Sequence, residues 1–139
     1  MNNATTSRSL NYQDLYEALG YLFYGIAVCD KKIETKETEK LRELVKKNWL
    51  PMEDSEDGFG MDNAHAISIT YDMLMDRGVS CEEAWENFRE YYALNREMFS
   101  NNVKNMIVVT AEDIAKSYWN TNKAEEHMLH KLKDLFSIS

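Results

Sequence analysis

Asp30 and Glu37 are the residues of this sequence most suggestive of a site, because two carboxylates flank a short polar link between two helical patterns. Glu34 lies inside that link and Glu39 just beyond it, so up to four carboxylates fall within ten positions of chain. Hard divalent cations such as calcium or magnesium take six or more oxygen ligands, and a carboxylate cluster at a bend is a natural start for such a shell. Asp30, Glu37 and Glu34 are therefore the candidate metal ligands. The alternative is structural: Asp30 forms an Asx-type turn as the chain leaves its helix, and Glu37 complements the positive end of the next one. A second acidic run, Glu53-Asp54-Ser55-Glu56-Asp57-Gly58, lacks the ligand spacing of an EF-hand and reads as a solvated loop. His127 and His130, three apart with Glu126 beside them, make half of a transition-metal site; lying opposite Leu129 and Leu132, they are expected to face solvent.

The remaining chemistry-bearing residues point away from catalysis. Cys29 and Cys81 are far apart and neither belongs to a Cys-x-x-Cys pair, so both read as reduced thiols. Lys31, Lys32, Lys36, Lys40, Arg42, Lys46 and Lys47 make one stretch locally basic, as a docking face for an anionic partner or lipid or as a mixed-charge surface laced by Glu37, Glu39 and Glu43. Trp85, Phe88, Tyr91 and Tyr92 have the spacing of core residues. There is no Gly-x-Ser-x-Gly elbow, Gly-rich phosphate loop or His-Glu-x-x-His motif. A binding module is expected rather than an enzyme.

Bulk properties narrow the class. The 139 residues suit one domain, and 44% hydrophobic and 12% aromatic content supplies a core. One proline and five glycines are too few for the many tight turns of a β-sandwich. A net charge of −8 repels the phosphate backbone, so nucleic acid is not an expected partner. No run approaches the ~20 apolar residues that span a bilayer, and the polar start lacks a signal-peptide stretch, so a cytoplasmic location is expected.

Hydrophobic spacing then places the elements that must carry these residues. Leu15, Leu19, Leu22 and Ile26 mark a helix from Tyr12 to about Cys29, preceded by a disordered tail over residues 1–10. Thr35 caps a second helix with Leu41, Leu44 and Val45 inward, and Asn48 to Met61 reads as a surface loop. A third helix starts near Asp62, buries Ile67, Tyr71 and Leu74, and stops at Gly78. Ser80 with Glu83 is a capping box opening a fourth helix that buries Ala84, Phe88 and Tyr92. A fifth runs from Ser100 to about Tyr118 on Val103, Ile107, Thr110 and Ile114, despite its β-branched middle. Asn122 opens a last one burying Leu129, Leu132 and Phe136.

Sliding the chain on itself brings Ile26-Ala27 onto Ile114-Ala115, Glu37 onto Glu125, Leu41 onto Leu129 and Leu44 onto Leu132 without a gap, which suggests a duplicated helix-turn-helix. The segment Ala27-Val28-Cys29-Asp30-Lys31-Lys32-Ile33, followed by Glu37, Leu41 and Leu44, resembles the signature of the TerB-like family linked to tellurite resistance. Lys31 stands where that family usually has glycine, and Tyr118 stands in the second half where the first has Asp30. The resemblance covers about residues 12 to 136. It implies a single all-α bundle of six to eight helices over residues 11–139, with half-repeats at 12–48 and 100–136 joined by 49–99. It also implies a divalent cation near Asp30 and Glu37, a protein partner and a role in tellurite or stress resistance. The competing expectation is a self-assembling, homodimeric helical domain without a ligand.

Overall fold

Between Leu15 and Ala27 nearly every position is apolar or glycine, and a helix that is apolar all the way round has to be enclosed. In the computed structural model that helix, α1 (Asn3–Val28), is the axis of an all-helical bundle. The structure describes the backbone of residues 3–28, 35–49, 61–118 and 123–137, and side chains over 13–28, 39–49, 65–116 and 127–137. Six α-helices and no strands occur among them. Leu15, Leu19, Leu22, Phe23, Tyr24 and Ile26 are all buried, facing different neighbours around α1.

Helix α1 begins well before the expected Tyr12. No proline or glycine lies between Asn3 and Tyr12 to stop a helix propagating toward its N-terminus, so much of the segment read as a tail is helical. Helix α2 (Thr35–Leu44) passes directly into a π-helical turn, Val45–Trp49. The surface loop expected from Asn48 therefore starts too early: Trp49 is fully buried, its ring set edge-on to Tyr16 at 6.0 Å. Its indole Nε1 donates to Thr110 Oγ1 at 3.2 Å, and Asn48 Nδ2 donates to the same oxygen at 3.1 Å. Thr110 in turn donates to the Met106 carbonyl at 2.8 Å, so the polar atoms of this buried site satisfy one another.

Helix α3 (Met61–Arg77) ends as its residues require. Gly78 adopts φ +65°, its N–H bonds the Met75 carbonyl, and the Val79 N–H reaches back to Leu74, the paired bonds of a Schellman termination. Ser80 then caps α4 (Cys81–Leu94), its Oγ accepting from the Glu83 N–H at 3.1 Å. After a short 3-10 turn, Arg96–Met98, Ser100 repeats the device for α5 (Asn101–Tyr118), accepting from the Val103 N–H at 3.2 Å. Helix α6 (Lys123–Phe136) closes the bundle. The expected stripes on α3 to α5 are buried at Ile67, Tyr71, Leu74, Ala84, Phe88, Tyr92, Ile107, Thr110 and Ile114; on α6 Met128 joins Leu132 and Phe136, with Leu129 only half-buried.

Phe88, Tyr92, Phe99 and Phe136 form an aromatic cluster with ring centroids 4.9 to 6.2 Å apart, mostly edge to face. Of the residues aligned by the offset seen in the sequence, Ile26, Ile114, Leu41, Leu44 and Leu132 are buried and Leu129 is half-buried. No described helix is long and apolar enough to cross a membrane.

Helices α1 and α3 pack closely at Gly20. A Cβ built on Gly20 would lie 2.7 Å from Thr70 Cβ and 2.9 Å from the Ile67 carbonyl oxygen, a backbone atom that cannot swing aside. Alanine adds about 1 kcal/mol of helix propensity over glycine, whereas overpacking of a tight contact removes about 1–3 kcal/mol. Gly20→Ala is thus expected to destabilise the chain by up to about 2 kcal/mol, read as a lower urea midpoint at unchanged m-value.

Candidate functional site

The end of α1 and the starts of α4 and α6 do not close on one another. Tyr24 and Val28 form one wall, the Gly78–Ser80 link and the first turn of α4 a second, and His127, Met128 and Lys131 of α6 the third. The open cleft between them has a volume of about 590 Å³. That is within the ordinary range of small-ligand and peptide-anchoring sites. Gly25 keeps α1 close to this floor: a Cβ there would meet the Ala84 Cβ at 3.3 Å, with the Met128 methyl beyond it.

Local sequence explains each wall. The Schellman turn at Gly78 throws Val79 back toward α1, where its carbonyl accepts a 2.6 Å hydrogen bond from the Tyr24 hydroxyl. The Tyr24 ring is steadied edge-on by Tyr71 at 5.7 Å, and burial raises the Tyr24 pKa above its ordinary value. Val28, Val79, Met128 and the Tyr24 ring make the floor apolar. The rim is charged: Lys131 stands with its Nζ 4.9 Å from the Trp85 ring centre, His127 is exposed beside it, and Glu82 opposes them from α4. The N-terminus of α4 also directs its positive end here, since Cys81 and Glu82 are its first residues. In a chain of net charge −8, the cleft is an apolar pocket whose edge carries both signs, Lys131 on α6 and Glu82 on α4.

Cys81 lines this cleft, and it is not the free thiol expected from the sequence. It is disulfide-bonded, and no free cysteine occurs among the described residues. Spacing along the chain gave no sign of this, because neither cysteine belongs to a Cys-x-x-Cys pair.

The other candidates fall differently. Asp30 and Glu34 lie outside the described residues, as does the acidic run of Glu53, Asp54, Glu56 and Asp57; Glu37 falls in the first turn of α2, with its side chain not described. Among the described residues no three His, Cys, Asp or Glu side chains gather as a metal site. His127 and His130 are both exposed, as expected, and only His127 reaches the cleft. Of the basic stretch, Lys40 and Lys47 share a polar cleft of about 420 Å³ with Glu43, Asp113 and Lys116, which is a mixed-charge surface. Arg42 pairs with Asp72 at 2.7 Å between α2 and α3, an exposed bridge worth at most about 1 kcal/mol. Trp85, Phe88 and Tyr92 are buried and Tyr91 half-buried, so the aromatic run belongs to the core. Burial, reinforced by Asp14 and Glu97, holds the Tyr91 hydroxyl well above the usual phenol range.

Compared with protein-family models, curated proteins and solved structures, the chain finds no match.

The Tyr24 bond ties two walls together and is measurable. Tyr24→Phe is expected to lower stability by about 1 kcal/mol near neutral pH. A phenol whose folded pKa lies above its unfolded value leaves stability untouched below the unfolded pKa of 10.0; above that, the unfolded chain loses its proton first and stability falls. Urea denaturation from about pH 8 to pH 11 should therefore show a steeper alkaline loss in the wild type than in Tyr24→Phe.

Proposed function

We propose that this chain is a non-enzymatic helical binding module of the kind its sequence resembles, the TerB-like family, and that its binding surface is the cleft between α1, α4 and α6. The occupant is a short acidic-hydrophobic segment of a partner protein. Its apolar side chains rest on Val28, Val79 and Met128, and its carboxylates face Lys131 and the N-terminus of α4. A cytoplasmic location and a place in tellurite or stress resistance belong to the same reading.

The observation carrying it is the charge contrast. An acidic protein sets Lys131 and a helix N-terminus around an apolar floor, with Glu82 opposing them from α4, and complementary charge steers partners and fixes register. Among the described residues the aromatic run Trp85, Phe88 and Tyr92 is packed in the core, so that run offers no face for the self-assembling alternative. The apolar side chains left exposed among the described residues, Ile69, Met73, Leu94 and Val109, are spread over three helices.

Affinity capture from the source cell with three baits tests the site. The wild type and Lys47→Glu, which alters the polar α2–α5 face, should retain a partner that Lys131→Glu loses, with affinity down by about tenfold or more. A partner set identical for all three baits rules the cleft out. Cation binding by Asp30, Glu34 and Glu37 is a separate clause of the proposal. Titration calorimetry with calcium and magnesium should give heat for the wild type and none for Asp30→Ala, and no heat for either removes that clause.

A further inference from the structure

Helix α2 packs on α5, and beside that packing lies the polar cleft of about 420 Å³. Lys40, Glu43 and Lys47 line it from α2 and its π-helical extension, spaced along one helix face, and Asp113 and Lys116 line it from α5. Elsewhere Arg42, Arg89 and Lys133 sit in ion pairs, and Arg96, Lys104 and Lys131 lie over aromatic rings. Among the described residues Lys40, Lys47 and Lys116 have no such partner, and all three border this one cleft. We propose that the α2–α5 cleft binds a phosphate monoester carried on a hydroxyl-rich skeleton, either as a free molecule or as a lipid headgroup. This site is separate from the cleft between α1, α4 and α6 and does not depend on what that cleft holds.

The lysines determine the phosphate. Like charges gathered on one surface repel, and here Glu43 and Asp113 offset three cations only in part. A phosphate monoester brings a charge of about −1.5 to −2 at neutral pH and three strong acceptor oxygens, enough to meet three ammonium groups. Lysine binds phosphate as a compact point charge on a flexible stem, whereas arginine's planar fork matches a carboxylate.

The carboxylates determine the skeleton. A bare polyanion, such as a polyphosphate chain or a nucleic-acid backbone, meets repulsion from Glu43 and Asp113. An ionised carboxylate only accepts hydrogen bonds, so the ligand has to present donors next to its phosphate, and hydroxyl groups do so. The cleft volume is within the range of small-ligand sites.

The site is also formed in advance. Lys47 belongs to the π-helical turn Val45–Trp49, and its neighbours Asn48 and Trp49 both donate to Thr110, which lies one turn before Asp113 on α5. That buried joint sets the two lysine-bearing walls relative to each other, which lowers the ordering cost of binding. Single π-helical turns attached to α-helices recur at functional sites.

The test follows backbone amide NMR shifts of the full chain in low-salt, phosphate-free buffer. The probes are myo-inositol monophosphate, inorganic phosphate and unphosphorylated inositol. Saturable shifts should gather at residues 40–47 and 113–116, with inorganic phosphate weaker than the ester by about fivefold and inositol alone without effect. Lys116→Ala and Lys40→Ala should each weaken the ester by about tenfold, whereas Arg77→Ala, which removes a positive charge at the end of α3, should not. Lys116 is exposed, so its variant serves if Lys40→Ala folds poorly. Glu43→Ala should narrow the gap between ester and inorganic phosphate. Co-sedimentation with phosphatidylcholine vesicles separates the two sources. Recruitment by phosphatidylinositol monophosphate and not by phosphatidylserine assigns the headgroup; binding of the free ester without recruitment assigns the soluble molecule. No saturable shift with the ester and no recruitment, equal affinity for ester and inorganic phosphate, an affinity unmoved by Lys116→Ala, or equal recruitment by phosphatidylserine would each overturn the site.

Discussion

Enclosing α1 is the constraint from which the rest of the bundle follows. A segment with apolar side chains on every side between Leu15 and Ala27 has no face to offer water, so α3, α4, α5 and α6 are placed by which part of that surface they cover, while α2 packs on α5. Glycine then sets how near each comes: Gly20 admits α3 to near backbone contact, and Gly25 admits α4. The cleft is a by-product of the same geometry. At the C-terminal end of α1 the covering helices diverge, and the α3–α4 turn and the start of α6 leave part of the apolar surface open.

What was legible in the sequence was whatever is encoded locally. Gly78, Ser80 and Ser100 act on their own backbone neighbours through a left-handed turn and two hydroxyl caps, so the ends of α3 and the starts of α4 and α5 fall where the residues indicate. The stripes of Ile67, Tyr71 and Leu74, or of Ile107 and Ile114, report burial because helical spacing alone decides which side faces in. The early start of α1 was obscured because Asn, Thr and Ser suggest a tail, while a helix with no breaker in its path simply continues.

The candidate site was hardly legible at all. Its walls come from residues near 24–28, 78–82 and 127–131, and only folding brings them together. The bonding of Cys81 has the same character, since an isolated cysteine carries no local sign of it. The inward turn at Trp49 did have a trace: Leu41, Val45 and Trp49 continue a spacing of four past the point where Asn48 suggests a loop. The cue failed because π-helical turns are rare and the approach of Pro51 argues for an ending.

The hydroxyl of Thr110 has a further role in how α2 is seated. Grease alone lets one cylinder roll against another, because methyl groups have no preferred compass bearing. A hydroxyl that receives from both Asn48 and Trp49 and gives its own proton to Met106 does have one, and it keys the π-helical turn to α5 like a pin through a shaft. The angular setting of α2 about its own length is thereby fixed, and with it the direction in which everything mounted on that helix must point.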